Sequence, residues 1–131
     1  MQDSIQPNGE TLVFTCAGAA YSGQVSNQAG VRLHREKAGN LFCIAAVAAN
    51  RPEKMERARN AQTRVAIDGC EDHCCKIILE EAGLPVDVHV VATDLGIEKK
   101  PEAPRMAEDS ARIVEEVKRS LTVENRSGGS L

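Results

Sequence analysis

The sequence predicts a single α/β domain, built as a three-layer sandwich around a mainly parallel sheet of about four strands. Its 131 residues fit one domain of ordinary size. Short apolar runs alternate with amphipathic segments, which is the pattern of βαβ units with right-handed crossovers. Hydrophobic residues make up 42% of the chain and aromatic residues only 2%. We therefore expect a core of small aliphatic side chains and no aromatic platform for stacking single-stranded nucleic acid.

The first half of the chain supplies two strands and two helices. Thr11–Cys16 is an apolar run that predicts a buried first strand, and Gly39 with Asn40 ends the helix that follows. Pro52 marks the first turn of a mostly charged helix, where a missing amide costs no hydrogen bond. The expected elements are strand 11–16, helix 24–37, a strand in the first half of 41–49, and helix 53–61.

The second half continues the same alternation. Gly83 and Pro85 end the helix that follows the third strand. The last helix has an apolar stripe from Met106 to Leu121. The expected elements are strand 63–67, helix 72–82, strand 86–92, a linker over 98–104 and helix 106–121. The domain then spans 11–122, between flexible ends at 1–10 and 123–131, and its order of elements is Rossmann-like.

Charge and terminal sequence indicate a cytoplasmic protein without nucleic-acid or membrane partners. The formal net charge is −3, and charges of both signs are interspersed. That distribution offers no basic stripe for nucleic acid or anionic lipid. No apolar run has the length of a membrane span, and Met1–Glu10 lacks the features of a signal peptide. In a reducing cytosol, five cysteines indicate metal ligands or redox groups more than disulfides.

Four cysteines predict a metal site at one edge of the sheet. Cys16, Cys43 and Cys70 each follow an apolar run. Because the carboxyl ends of parallel strands share one edge, we expect these residues to come together there. Cys74 lies four residues after Cys70, which on a helix start places both sulfurs on one face. Four thiolates form the closed structural zinc site, and their softness also suits an iron–sulfur cluster or copper(I).

The other potential ligands receive lesser roles. Cys75 points about 100° away from Cys74 in helical geometry, which suits the core or a neighbouring surface. His73 is either a ligand or an exposed residue of the first helical turn. His34 and His89 are interpreted as surface or core residues without chemistry.

The turn residues around the cysteines are predicted to shape the loops. Asp68 should accept backbone amides, and Gly69 should supply either an unusual φ or a close approach. Asp94 follows the fourth strand, where it either hydrogen-bonds across the site or caps a turn.

The ordered sequence blocks resemble the DGC-domain family of zinc-binding proteins. These blocks are Phe14–Gly18, Phe42–Cys43, Val65–Cys70 with Cys74, and Thr93–Ile97, and the resemblance covers about residues 12–99. The resemblance implies zinc bound by the four cysteines named above. It brings no established reaction.

Three hypotheses of function follow from these residues. The first is a small cytoplasmic Zn²⁺-binding protein that uses Cys16, Cys43, Cys70 and Cys74. The alternative is a thiol redox enzyme or sensor, with Cys70 as nucleophile and Cys74 or Cys16 as resolving thiol. The third is a metal-dependent hydrolase or transferase, for which four cysteines leave no open coordination position; its candidate bases are His73, Glu71 and Asp94. The sequence names no catalytic residue and no protein partner, and it leaves a homo-oligomer open.

Overall fold

In the residues that the structure describes, the sheet has four strands, and all of them are parallel. The computed structural model describes the backbone of residues 9–129 and the side chains of residues 9–124. Of the ends expected to be flexible, 1–10 and 123–131, residues 1–8 and 130–131 lie outside the described residues. The strands are β1 (Thr11–Thr15), β2 (Asn40–Leu41), β3 (Thr63–Asp68) and β4 (Val88–Val91), in the spatial order β2-β1-β3-β4.

Within residues 9–129, five α-helices cover the two faces of the sheet. They are α1 (Tyr21–Arg35), α2 (Ile44–Ala48), α3 (Pro52–Asn60), α4 (Cys74–Glu81) and α5 (Met106–Gly129). One buried cluster joins α1 and α5 to the sheet, and a second joins α2, α3 and α4 to its other face. The predicted α/β fold with three layers is therefore confirmed.

Alternation along the strands explains why both faces are apolar. In β1, Val13 packs into the cluster of α1 and α5, whereas Leu12 and Phe14 pack into the opposite cluster. In β3, Val65 and Ala66 divide between the two faces in the same way. A parallel sheet needs helices on both faces, so its strands read as continuous apolar runs.

Several boundaries differ from the expected ones. The second strand is only Asn40–Leu41, and the Ala-rich sequence after it forms α2. The predicted loop after β4 contains a 3₁₀ helix at Ala92–Leu95. α5 continues to Gly129, beyond the expected end at Leu121. In the part of the chain that the structure describes, no helix combines the length and apolar character needed to cross a bilayer.

Candidate functional site

The strand order brings the cysteine-bearing segments together at the carboxyl edge of the sheet. β2, β1 and β3 are consecutive neighbours, and each leads into a segment that carries one of the predicted ligands. Leu41 pairs with Val13, and the next residue, Phe42, donates its N–H to the Val13 carbonyl at 2.8 Å. Cys43 therefore follows β2 directly beside the end of β1. The Cys16 N–H in turn reaches the Ile67 carbonyl of β3 at 3.2 Å.

The Cys16 thiol contacts the loop that carries Cys70. The Gly69 N–H donates to the Cys16 Sγ at 3.3 Å. Cys16 and Cys70 are half-buried, Cys43 and Cys74 are exposed, and all of these thiols are free. The site thus combines two partly sheltered sulfurs with two that solvent can reach.

The surroundings of Cys74 disfavour the charged form of its thiol. Loss of hydration is the main cause that raises the pKa of Cys74, followed by the negative charges of Asp72 and Asp68. The thiols of Cys70 and Cys16 raise it further. A nearby negative charge disfavours the formation of a second one. A cation placed among them would relieve this repulsion.

The thiols are not arranged as a finished coordination site. Among the described residues, no three His, Cys, Asp or Glu side chains are grouped so that they could hold a metal ion. The backbone brings the cysteines to one edge, but the sulfur atoms do not converge on a point. Ion binding would therefore need side-chain rotation.

Cys75 belongs to the core. Its side chain is 1% exposed and packs in the cluster with α2, α3 and α4. Burial is the main cause that raises its pKa far above the ordinary value, and the nearby Asp68 carboxylate adds to the effect. A neutral buried thiol is a poor nucleophile and a poor ligand. Of the two positions expected for Cys75, the core and a neighbouring surface, the structure shows the core.

The expected position of Cys70 on a helix start is wrong. α4 begins at Cys74, and Cys70 lies in the loop between β3 and α4. His73 stops the helix from extending further back because its backbone is left-handed, with φ of 53°. Cys70 and Cys74 therefore lie on either side of a tight loop instead of on one helix face.

Asp68 is the organising residue of this loop. It ends β3 with its side chain only 1% exposed. Its Oδ1 accepts the Cys75 N–H at 2.8 Å, and its Oδ2 accepts the Lys76 N–H at 3.2 Å. The prediction that Asp68 accepts backbone amides is confirmed, and these amides belong to the first turn of α4.

Sequence reasoning missed the role of His89. Its Nε2 lies 2.8 Å from the Asp68 Oδ2, and its ring packs edge-to-face against His73 with centroids 4.8 Å apart. His73 is accordingly half-buried and not an exposed residue within the helix. The contact between His89 and Asp68 follows from the register of β3 and β4, which pairs Ala66 with His89 and Asp68 with Val91. The only sequence signal was a histidine alternating with valines in β4.

Two candidate bases of the third hypothesis, Glu71 and Asp94, lie on the surface. Glu71 pairs with Lys99 at 3.0 Å between Oε2 and Nζ, and the Glu71 side chain is 69% exposed. Hydrogen bonding to its own backbone amide lowers the pKa of Glu71, and Lys99 lowers it further. Asp94 is exposed in the 3₁₀ helix. Neither of these two carboxylates is sheltered from solvent as a general base would be.

Comparison with known proteins identifies the family. The model of the DGC domain matches residues 12–117. The chain belongs to the DGC-domain family. This DGC protein is also 32% identical, over 111 residues, to the "Anaerobic and virulence modulator AnvM" of Pseudomonas aeruginosa, with 85% of each chain covered. No solved structure matches it. The resemblance carried by the cysteine blocks is thereby confirmed.

Proposed function

We propose that this DGC protein is a small cytoplasmic regulatory protein that binds Zn²⁺ through Cys16, Cys43, Cys70 and Cys74. The observation that carries the proposal is the adjacency of β2, β1 and β3, which directs all four cysteines to one edge. Four thiols are the donor set of a closed structural zinc site. The name of the relative AnvM, a modulator, supports the regulatory part.

Two of the four proposed donors are half-buried and two are exposed. Cys16 is tied to Gly69 through its sulfur, whereas Cys43 and Cys74 are exposed. Metal capture would turn the two exposed thiols toward the two half-buried ones. The bound ion would join three loops and add its binding free energy to folding. Loaded and empty protein would then present different surfaces to a partner.

Zinc binding should release protons. The pKa of Cys74 is raised by lost hydration, by Asp72 and Asp68, and by the thiols of Cys70 and Cys16, which favours the protonated form of this thiol. Ligation requires the thiolate, so the apparent affinity falls as the pH falls. Such a site would hold its ion at neutral pH and lose it in mild acid.

Elemental analysis of protein purified without added metal tests the proposal. We expect about one equivalent of zinc in the wild type and in Cys75→Ala, which removes only the core thiol. Cys70→Ser should lose the metal while keeping the helical circular dichroism. Less than about a tenth of an equivalent of zinc or iron, with every thiol titratable, would contradict the proposal, because a structural site retains its ion.

One observation favours the thiol redox alternative. Lys99 pairs with Glu71, and this hydrogen bond is the main cause that raises the pKa of Lys99; the negative charge of Cys70 is the next. The ion pair with Glu71 holds an ammonium group beside the loop that carries Cys70, which is the nucleophile of this alternative. If this function is correct, Cys70→Ser should abolish the fast reaction with hydrogen peroxide. An equal rate in wild type and variant would eliminate it.

A further inference from the structure

The loop that carries Cys70 is closed by a single buried carboxylate. Asp68 stands at its start, and the amides that Asp68 accepts belong to Cys75 and Lys76, just after its end. Within α4 itself, the residue before the first turn provides no side-chain cap. The orientation of Asp68 therefore sets the position of Cys74 relative to β3, and with it the path of the loop between them.

His89 fixes that carboxylate from the neighbouring strand. A carboxylate only accepts hydrogen bonds, so the His89 Nε2 must be the donor to the Asp68 Oδ2. The His89 side chain is 17% exposed, and the His73 ring packs against it. β4 thus contributes to the cysteine edge although it carries no cysteine.

We propose that Asp68 and His89 are positioning residues for the thiol site. His89 holds the Asp68 carboxylate, and the carboxylate holds the first turn of α4 and the loop with Cys70. The inference rests on the proposed metal function, and it assigns a role to a histidine that the four-cysteine ligand set leaves out. Residues that hold ligands in place in this way affect metal affinity by about 10–100-fold.

The experiment measures Co²⁺ affinity from the absorption of thiolate-bound Co²⁺. His89→Leu removes the donor, and we expect its affinity to fall by at least about tenfold. His89→Gln keeps an N–H donor and should remain within about threefold of the wild type. If His89→Leu does not fold, His89→Asn replaces it, because its shorter amide falls short of the carboxylate.

His34→Leu is the matched control. Like His89, this imidazole makes one hydrogen bond, in which it accepts the Leu41 N–H at 3.1 Å. It lies beside Glu10 and Thr11, at the amino edge of the sheet and away from the cysteines. Its removal should leave Co²⁺ affinity unchanged. If His34→Leu loses as much affinity as His89→Leu, the loss reflects general stability and the inference is overturned. Wild-type affinity in His89→Leu would overturn it as well.

Amide exchange separates this inference from the proposed function. If wild-type protein binds neither Co²⁺ nor Zn²⁺, the proposed function fails, and the metal-free protein decides the positioning role. The hydrogen of the Cys75 amide should then exchange with solvent about tenfold faster in His89→Leu than in the wild type. This factor is the upper value expected for the loss of one hydrogen bond. The same amide should be unaffected in His34→Leu. Equal exchange of the Cys75 amide in wild type and His89→Leu would refute the role.

Discussion

Gly69→Ala should disrupt the thiol site by a clash between backbone segments. A Cβ at Gly69 would lie 2.7 Å from the Gly23 nitrogen, 2.8 Å from the Gly23 Cα and 3.0 Å from the Ser22 carbonyl carbon. These are backbone atoms of the first turn of α1, so no side chain can rotate away. The same turn of α1 also packs closely against the backbone of Gly18, because a Cβ built at Gly23 would lie 2.7 Å from the Gly18 nitrogen. Gly69 therefore provides the close approach, one of the two roles predicted for it.

The geometry sets the size of the effect. Ordinary contacts between carbon atoms are about 3.5–4.0 Å, so the new methyl overlaps its neighbours by about half an ångström or more. Overpacking of this kind lowers the free energy of unfolding by about 1–3 kcal/mol. Because the neighbours are backbone atoms, we expect Gly69→Ala to lie at the upper end of this range. For a chain of this length, that corresponds to a melting temperature lower by about 10 °C. The shift also displaces the amide that donates to the Cys16 sulfur.

Thermal and urea unfolding of the metal-free protein measure this cost. Gly18→Ala is the matched control, because its Cβ would meet only the Cys16 sulfur, at 4.0 Å. We expect Gly18→Ala to stay within about 0.5 kcal/mol of the wild type. Gly83→Ala, with φ of +79° and open surroundings, should cost about 1 kcal/mol from backbone strain alone. Wild-type stability in Gly69→Ala, or an equal loss in Gly18→Ala, would refute the reasoning.

Three further predictions concern the side chains of Cys75, Arg64 and Tyr21. Because burial raises the pKa of Cys75 above its ordinary value of 9.0, the unfolded chain loses this proton first. Stability of the metal-free protein should therefore fall above about pH 9, and Cys75→Ala should flatten that slope in urea titrations. Arg64 is 9% exposed and donates to main-chain carbonyls in the last turn of α3, just after α3, and before β4. Replacement of Arg64 by Met should cost about 3 kcal/mol in chemical unfolding. Tyr21→Phe should cost about 1 kcal/mol in the same assay, because the Tyr21 hydroxyl joins α1 to Asp109 at 2.8 Å.

Much of the local structure follows from the sequence because its signals are local. The apolar runs around Val13 and Val65 predicted strands, and Gly83 with Pro85 predicted the end of α4. The start of α4 did not follow in the same way. It depends on Asp68 accepting amides from Cys75 and Lys76 across the loop. Such a remote cap leaves no pattern at the helix itself.

The candidate ligands could be predicted from the sequence, but the residues that surround them could not. Cys16, Cys43 and Cys70 each follow an apolar run, and that fact needs no coordinates. The partnership of Asp68 with His89 joins residues 21 apart in sequence. It arises from the register between β3 and β4, which depends on packing over the whole sheet.

By itself, the sequence determined the α/β alternation, the family and the four thiols that the domain can offer to a metal. Only the tertiary structure decided that β2, β1 and β3 are neighbours, so that these thiols share one edge. It also decided that Cys75 turns into the core and that His89 reaches Asp68. The physical reason is that strand order and register are set by how helices bury both faces of the sheet, and this long-range packing has no local signature.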